Sequence, residues 1–222
     1  MKWYLPLNLA LVALLLAAVF SGCSATSIDT PGLIQGPGTD TSPVLQSKFI
    51  ERTDTSVLLD VPFLPQVPPG NWAATRNCGQ ASAAMMRAYY FGEVPTPDDI
   101  LRADHWLNAN YGVALNGGNS DFTNVFMIRS WLEEEGVPAR VGMGSMETLK
   151  NLLREGKPVL LAAYSDMNPN GGAKHAMVAI GYDDNYIYVN DPGKISGEHN
   201  SYSINRVLSA WQAQGNWYVA LR

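Results

Sequence analysis

Cys78 has the local sequence of a cysteine nucleophile. It follows Asn77 and begins the run Cys-Gly-Gln-Ala-Ser-Ala-Ala, which indicates a helix with Asn77 as its N-cap. Cys78 would then occupy the first helical position, where free N–H groups and the helix dipole stabilise a thiolate. A thiolate held there can attack a carbonyl carbon. The alternative is a buried cysteine that acts only as a small apolar side chain.

His175 is the histidine that we expect to act with this thiol. It opens the apolar run from 175 to 182, which indicates a buried strand. An ionisable ring at the start of a buried strand is costly unless it is paired. His105 and His199 show no site pattern and no metal-ligand spacing, so we expect no metal site. The alternative for His175 is a structural core histidine.

Asp191 is the predicted partner of the His175 ring. It ends the strand predicted at 186–191, which should form a hairpin with the histidine strand. Period-two alternation puts Asp191 on the aliphatic face of its strand, near the start of the histidine strand. A carboxylate there can hold the imidazole in the tautomer that a general base requires. Asn190 is the alternative orienting residue, and Asp191 could also be a plain turn residue before proline.

Two glutamines could support the oxyanion that forms when the thiolate attacks. Gln66 ends a proline-framed segment at 61–66, and we prefer it, together with the Cys78 backbone N–H, as the oxyanion hole. Gln80 is more simply a capping residue that reaches back to the Asn77 backbone. A surface loop glutamine without a catalytic role is the alternative for Gln66.

The N-terminal sequence predicts export and lipid anchoring. Residues 9–20 are uninterrupted apolar residues, too few to span a bilayer but typical of a signal-peptide core. Ser-Gly-Cys follows and resembles a lipobox, in which Cys23 is diacylated and becomes the new N-terminus. We therefore predict a lipoprotein signal peptide at 1–22, a flexible tether at 23–56 and the globular domain at 57–222.

The predicted location is the bacterial cell envelope, with the exported chain anchored to a membrane through Cys23, because two acyl chains suffice for stable anchoring. A plain secretory signal is the alternative. The net charge of -5 provides no basic surplus to neutralise phosphates, so we expect no nucleic-acid partner. The sequence makes no prediction about the oligomeric state.

The remaining pattern predicts an α+β domain, in which a helical half that carries the nucleophile packs on a C-terminal antiparallel sheet that carries the base. Helices are expected at about 96–108, 120–135, 145–155 and 203–214, and strands at about 159–164, 175–182, 186–191 and 217–221.

Taken in order, these motifs resemble those of the bacteriocin-leader-peptidase-like (C39-like) cysteine peptidases of the papain-like superfamily. The motifs are Val-Pro-Phe-Leu-Pro-Gln (61–66), Cys-Gly-Gln (78–80), Lys-His-Ala-Met-Val-Ala-Ile-Gly-Tyr (174–182) and Asn-Asp-Pro (190–192). The resemblance covers nearly all of 57–222 and implies a papain-like fold. It also implies Cys78 as nucleophile, His175 as base, Asp191 as orienting residue and Gln66 as oxyanion donor, with no metal or organic cofactor.

The predicted function is cysteine-dependent hydrolysis of peptide or other amide bonds in a peptide or protein substrate, by a Cys-His-Asp triad at the outer side of a bacterial membrane. One alternative is a transglutaminase-like or cell-wall amide hydrolase, which shares the order of the three residues. The other is a non-catalytic binding module on the same fold, whose thiol would keep an ordinary pKa of about 8.5.

Overall fold

The computed structural model describes residues 49–72, 74–115 and 123–222. They include a short 3-10 turn, Ser165–Met167, which directly follows the strand Val159–Tyr164. The elements are, in chain order, β1 (Phe49–Arg52), β2 (Val57–Leu59), α1 (Cys78–Phe91), α2 (Pro97–Tyr111), α3 (Val125–Glu134), β3 (Ala139–Met143), α4 (Met146–Arg154), β4 (Val159–Tyr164), β5 (Lys174–Tyr182), β6 (Tyr186–Asn190), β7 (Asn200–Ser203), α5 (Ile204–Gln212) and β8 (Trp217–Leu221).

The strands form one antiparallel sheet in the order β1-β2-β5-β4-β8-β3, and β6 joins β5 to β7. Strand β5 is central because it pairs with β2, β4 and β6. Its side chains are consequently buried from Met177 to Tyr182, as the apolar run of the sequence predicts. Only the beginning of β5, where His175 lies, opens towards solvent.

Helix α1 packs between the sheet and the other helices of the N-terminal half, with contacts to β5, α2 and α3. Small side chains on α1 permit this close packing, and the Ser82 hydroxyl donates to the Ala176 carbonyl of β5 at 3.3 Å. Farther along the helix, the buried Tyr89 hydroxyl donates to the Gly156 carbonyl at 2.8 Å. These contacts hold the helix that begins at Cys78 against the strand that carries His175.

The predicted helices and the four predicted strands are all present, each within a few residues of the expected bounds. Helix α3 begins at Val125 rather than at residue 120. The reason is a cap, because the Asn124 side chain accepts hydrogen bonds from the backbone N–H groups of Phe126 and Met127.

The sequence patterns do not predict β1, β2, β3 or β7, which are short or only partly buried. The predicted tether is consequently too long at its C-terminal end, because Phe49–Arg52 pairs with β2 and Phe49 packs on the core. The folded region thus begins by Phe49 rather than at Val57. The predicted signal peptide and Cys23 lie outside the described residues. No helix in the described ranges is long and apolar enough to cross a membrane.

Candidate active site

Cys78 is the first residue of α1, the position that the sequence predicts. The Asn77 carbonyl accepts a hydrogen bond from the Ala81 N–H at 2.8 Å, so helical bonding starts one residue before the thiol. The N–H groups of the first turn have no acceptor within the helix, and they favour negative charge at this end. Cys78 is a free cysteine and is partly exposed, so its thiol can meet a ligand that enters from solvent.

Asn77 is the N-cap residue of α1, as the sequence predicts, but its side chain makes no capping hydrogen bond. Its φ of -84° and ψ of 22° lie outside the extended region from which a capping side chain accepts a helical N–H. The side chain is instead fully buried, and neither Oδ1 nor Nδ2 has a hydrogen-bond partner among the described residues. Asn77 therefore starts the helix through its backbone alone.

Gln80 does not reach back to the Asn77 backbone, so the prediction that it is a capping partner is wrong. Its Nε2 donates to Asp104 Oδ1 at 3.1 Å, and its Oε1 accepts from Thr123 Oγ1 at 3.4 Å. Gln80 and Asp104 are both buried, and a buried carboxylate is a stronger acceptor than a backbone group at the helix end. Gln80 therefore joins α1 to α2.

His175 and Asp191 meet where the start of β5 lies beside the end of β6. The two strands pair antiparallel with Val178 opposite Asn190, which brings the residues at these ends together. His175 Nε2 is 2.6 Å from Asp191 Oδ1. The His175 side chain is 9% exposed and that of Asp191 is 2% exposed, so little water competes for this contact. The structure thus places the carboxylate directly on the imidazole.

The Cys78 thiol and the His175 ring are coupled by a side-chain hydrogen bond and by their charges. Burial raises the pKa of Cys78, but the His175 charge and hydrogen bond, with backbone N–H groups of Ala176 and Gly79, hold it below its ordinary value. Burial lowers the pKa of His175, but the Cys78 charge and the Asp191 hydrogen bond outweigh it and raise the pKa to about 10. Both shifts favour a thiolate–imidazolium pair at neutral pH.

A turn holds the Asp191 carboxylate against the ring. The Gly193 N–H donates to Asp191 Oδ1 at 3.0 Å, and Lys194 Nζ lies 3.6 Å from Asp191 Oδ2. Burial raises the pKa of Asp191, but the hydrogen bond and charge of His175, with Gly193 and Lys194, bring it below its ordinary value. A Cβ atom on Gly193 would lie 2.9 Å from His175 Cε1, so a glycine is needed beside the ring.

Gly193 and Lys194 contact the triad residues, and the sequence analysis does not identify them. Gly193 has a usable signal, because an aspartate side chain often accepts from the N–H two residues later in a turn. Lys194 has no comparable signal, because its shortest contacts, with Asp166 Oδ1 at 2.7 Å and with the Tyr202 hydroxyl at 2.9 Å, depend on how the chain folds.

Asn190, the alternative orienting residue, is bonded elsewhere. Its Nδ2 donates to the Val61 carbonyl at 2.9 Å, and its Oδ1 accepts from the His199 backbone N–H at 3.1 Å. The side chains of His105 and His199 are exposed. No cluster of three His, Cys, Asp or Glu side chains suited to a metal ion occurs in the described part of the chain.

Gln66 lies between the turn after Asp191 and the segment before Cys78. Its backbone N–H donates to the Pro192 carbonyl at 2.8 Å, and its side-chain Nε2 donates to the Thr75 carbonyl at 3.0 Å. The residue is 8% exposed, and Oε1 has no hydrogen-bond partner among the described residues. One of the two amide hydrogens of Gln66 is thus engaged, and the side chain is held in one place.

A cavity of about 390 Å³ opens beside the thiol and the imidazole, and both Cys78 and His175 line it. Its other walls come from the start of α3, from β4 and from the beginning of β8. The site therefore combines a polarised thiol with a space large enough for part of a ligand.

Comparison with known proteins finds similarity in sequence and in structure. The Peptidase_C39 like family matches residues 58–219. No curated protein matches the chain. A crystallised Bacillus anthracis protein described as a C39-like peptidase shares 22% sequence identity, covers 76% of this chain and 98% of its own, and superimposes with a TM-score of 0.58.

Two further solved structures come from transporter peptidases. The peptidase domain of Streptococcus ComA, a bi-functional ABC transporter involved in a quorum sensing pathway, shares 19% identity over 72% of this chain and 97% of its own, with a TM-score of 0.51. A double glycine motif protease from an AMS/PCAT transporter, solved with the leader peptide, shares 21% identity over 72% and 91%, with a TM-score of 0.49. The Bacillus and ComA structures have the same fold as this chain.

Proposed function

Because the chain belongs to the Peptidase_C39 like family, and is thereby a cysteine peptidase-like hydrolase, we propose that it cleaves peptide bonds with Cys78 as nucleophile, His175 as general acid and base, and Asp191 as orienting residue. The predicted family and the predicted α+β, papain-like fold are both confirmed. The roles of the three side chains are our own assignment.

The observation that carries this proposal is one imidazole shared between a thiol and a buried carboxylate. His175 contacts Asp191 through Nε2 at 2.6 Å, which leaves Nδ1 for Cys78. The lowered pKa of Cys78 and the raised pKa of His175 both favour negative charge on the sulfur and a proton on the ring. A thiolate beside a proton donor is the arrangement that acyl transfer needs.

The reaction follows from these positions. The Cys78 thiolate attacks the substrate carbonyl carbon, and the carbonyl oxygen becomes an oxyanion. The proton on His175 Nδ1 passes to the leaving nitrogen as the C–N bond breaks, which releases the amine and leaves a thioester. Water then gives a proton to Nδ1 and attacks the thioester, so that the acid is released and the Cys78–His175 pair is restored.

We assign the oxyanion contacts to Gln66 and to the backbone N–H of Cys78. The Cys78 N–H lies in the first helical turn and has no acceptor within the helix. Gln66 donates one amide hydrogen to Thr75, so its second amide hydrogen is the one assigned to the oxyanion. A donor held in advance by another bond stabilises developing charge without being reorganised.

We further propose that the domain works on the outer side of a bacterial membrane, anchored through lipid on Cys23. The support is the short apolar segment followed by Ser-Gly-Cys. Cys23→Ser in the full chain should abolish incorporation of labelled fatty acid and move the protein out of the membrane fraction. Retention of the label in this variant would contradict the assignment.

The two cysteines provide matched variants for a test of the peptidase. Full-length protein, Cys78→Ala and Cys23→Ser are incubated with an unfolded polypeptide and, separately, with peptidoglycan fragments. We expect the polypeptide to be cleaved by the wild type and by Cys23→Ser, and not by Cys78→Ala, with circular dichroism showing that each variant is folded. Equal cleavage by Cys78→Ala overturns the proposal, and cleavage of peptidoglycan alone favours a cell-wall amide hydrolase.

A further inference from the structure

Apart from Cys78 and His175, the residues that line the cavity have no part in the bond-breaking steps, and their chemistry points to substrate selection. We propose that the cavity receives a large apolar side chain of the peptide substrate, aromatic or branched aliphatic, close to the bond that is cleaved. The inference rests on the proposed function, because Cys78 and His175 form part of the cavity wall.

The walls of the cavity are mainly apolar. Helix α3 contributes Val125, Phe126 and Ile128, and the sheet contributes Leu160 from β4 and Trp217 from β8. Removing apolar surface from water is favourable by about 25 cal/mol per Å², so such walls attract an apolar side chain and not a polar one.

Small residues of the sheet make room for that side chain. Ala162 is paired with Ala176 across β4 and β5, and Ala163 is paired with His175. All three alanines line the cavity. Its volume of about 390 Å³ falls within the range of roughly 300–1,000 Å³ found for small-molecule pockets. A glycine in the substrate would leave this space unfilled.

Two aromatic rings at the cavity remain accessible to an incoming ligand. Phe126 is 51% exposed, and Trp217 is half-buried. Their ring centroids are 5.3 Å apart with an interplanar angle of 63°, an edge-to-face contact. A substrate side chain that covers these rings buries apolar surface on both partners. An aromatic side chain would in addition favour an edge-to-face or offset-stacked arrangement with them.

The charged residues of the described lining disfavour a basic occupant. Arg76 and Lys174 line the cavity, and none of its described lining residues is Asp or Glu. A lysine or arginine side chain of the substrate would therefore meet two basic residues and, among the described lining residues, no carboxylate. The apolar walls thus favour an apolar occupant over a basic one.

Cleavage of a peptide library by the full-length protein tests this inference. Products are identified by mass spectrometry, and kcat/KM is measured on matched peptides that differ only at the selected position. We expect Phe or Leu to be favoured over Gly by about 10- to 100-fold, the range that an apolar pocket can provide. Phe126→Ala and Ala162→Leu, which remove one wall and fill the space, should each reduce this preference.

Phe91→Ala is the matched control, because Phe91 is a 42% exposed aromatic that does not line the cavity. This variant should keep the wild-type preference. If cleavage depends on Cys78 but no substrate position shows an apolar preference, the proposed role of the cavity is wrong. The peptidase proposal then still stands. Absence of any cleavage that depends on Cys78 overturns the proposed function and this inference with it.

Discussion

His175 Nε2 lies 2.6 Å from Asp191 Oδ1, which leaves Nδ1 as the ring nitrogen for the Cys78 thiol. A neutral ring in this arrangement carries its hydrogen on Nε2, where the carboxylate accepts it, and presents the Nδ1 lone pair to the sulfur. The same carboxylate favours the charged ring once Nδ1 takes up a proton. This short contact thus orients the imidazole and, together with the charge of Cys78, raises its pKa.

The first prediction concerns the pH dependence of the thiol. Since the pKa of Cys78 is lowered, the thiolate should persist below the pH at which a free cysteine, with a pKa of about 8.5, becomes protonated. Iodoacetamide labelling of the folded Cys23→Ser chain should therefore stay fast until the pH falls through this lowered pKa. The urea-unfolded chain is the control, and coincident labelling curves for the two states would favour a binding module.

The second prediction separates the charge of Asp191 from its shape. Asp191→Asn removes a carboxylate that raises the pKa of His175, so the alkaline limb of the kcat/KM profile should move to lower pH. Loss of a charge-assisted hydrogen bond of about 1.5–3 kcal/mol should lower kcat/KM by about 10- to 100-fold.

Asp183→Asn is the control for this carboxylate. Asp183 accepts a hydrogen bond from the Tyr188 hydroxyl at 2.7 Å on the turn between β5 and β6. The pH profile of this variant should match that of the wild type. An unchanged alkaline limb in Asp191→Asn would refute the orienting role of Asp191.

The third prediction compares two glycines with different constraints. A Cβ atom in Gly193→Ala would meet the His175 ring at 2.9 Å, so activity should fall sharply as the ring is displaced. Gly112→Ala has open space but a φ of +68°, so it should cost about 1 kcal/mol of stability and leave activity intact. Urea unfolding and kcat/KM for both variants check this contrast, and full activity in Gly193→Ala would contradict it.

The fourth prediction distinguishes the two glutamines. Gln66→Ala should lower kcat by about 100-fold with little change in KM, because an oxyanion contact forms only in the transition state. Gln80→Ala should instead lower the free energy of unfolding by about 1–3 kcal/mol, since buried Asp104 loses a donor. The reverse outcome, with kcat reduced mainly in Gln80→Ala, would exchange the two assignments.

Periodicity and local motifs in the sequence determined the helices and the longer strands of this fold, and the placement of the reactive groups within them. The position of Cys78 at a helix start and the inward side of Asp191 depend on hydrogen bonds and alternation within a few residues, which a sequence displays directly. The main strands could be predicted for the same reason, since continuous burial leaves an apolar run. Short strands such as β1 leave no such pattern, because most of the side chains of β1 are exposed.

Contacts between distant segments were decided only by the tertiary structure. Gln80 bonds to the buried Asp104 of α2 rather than to its own helix end, and the buried side chain of Asn77 makes no capping hydrogen bond. Which ring nitrogen of His175 contacts Asp191 likewise depends on how β5 and β6 meet α1. The cavity has walls from α3, β4 and β8, which become neighbours only when the chain has folded, so no local pattern could reveal its shape.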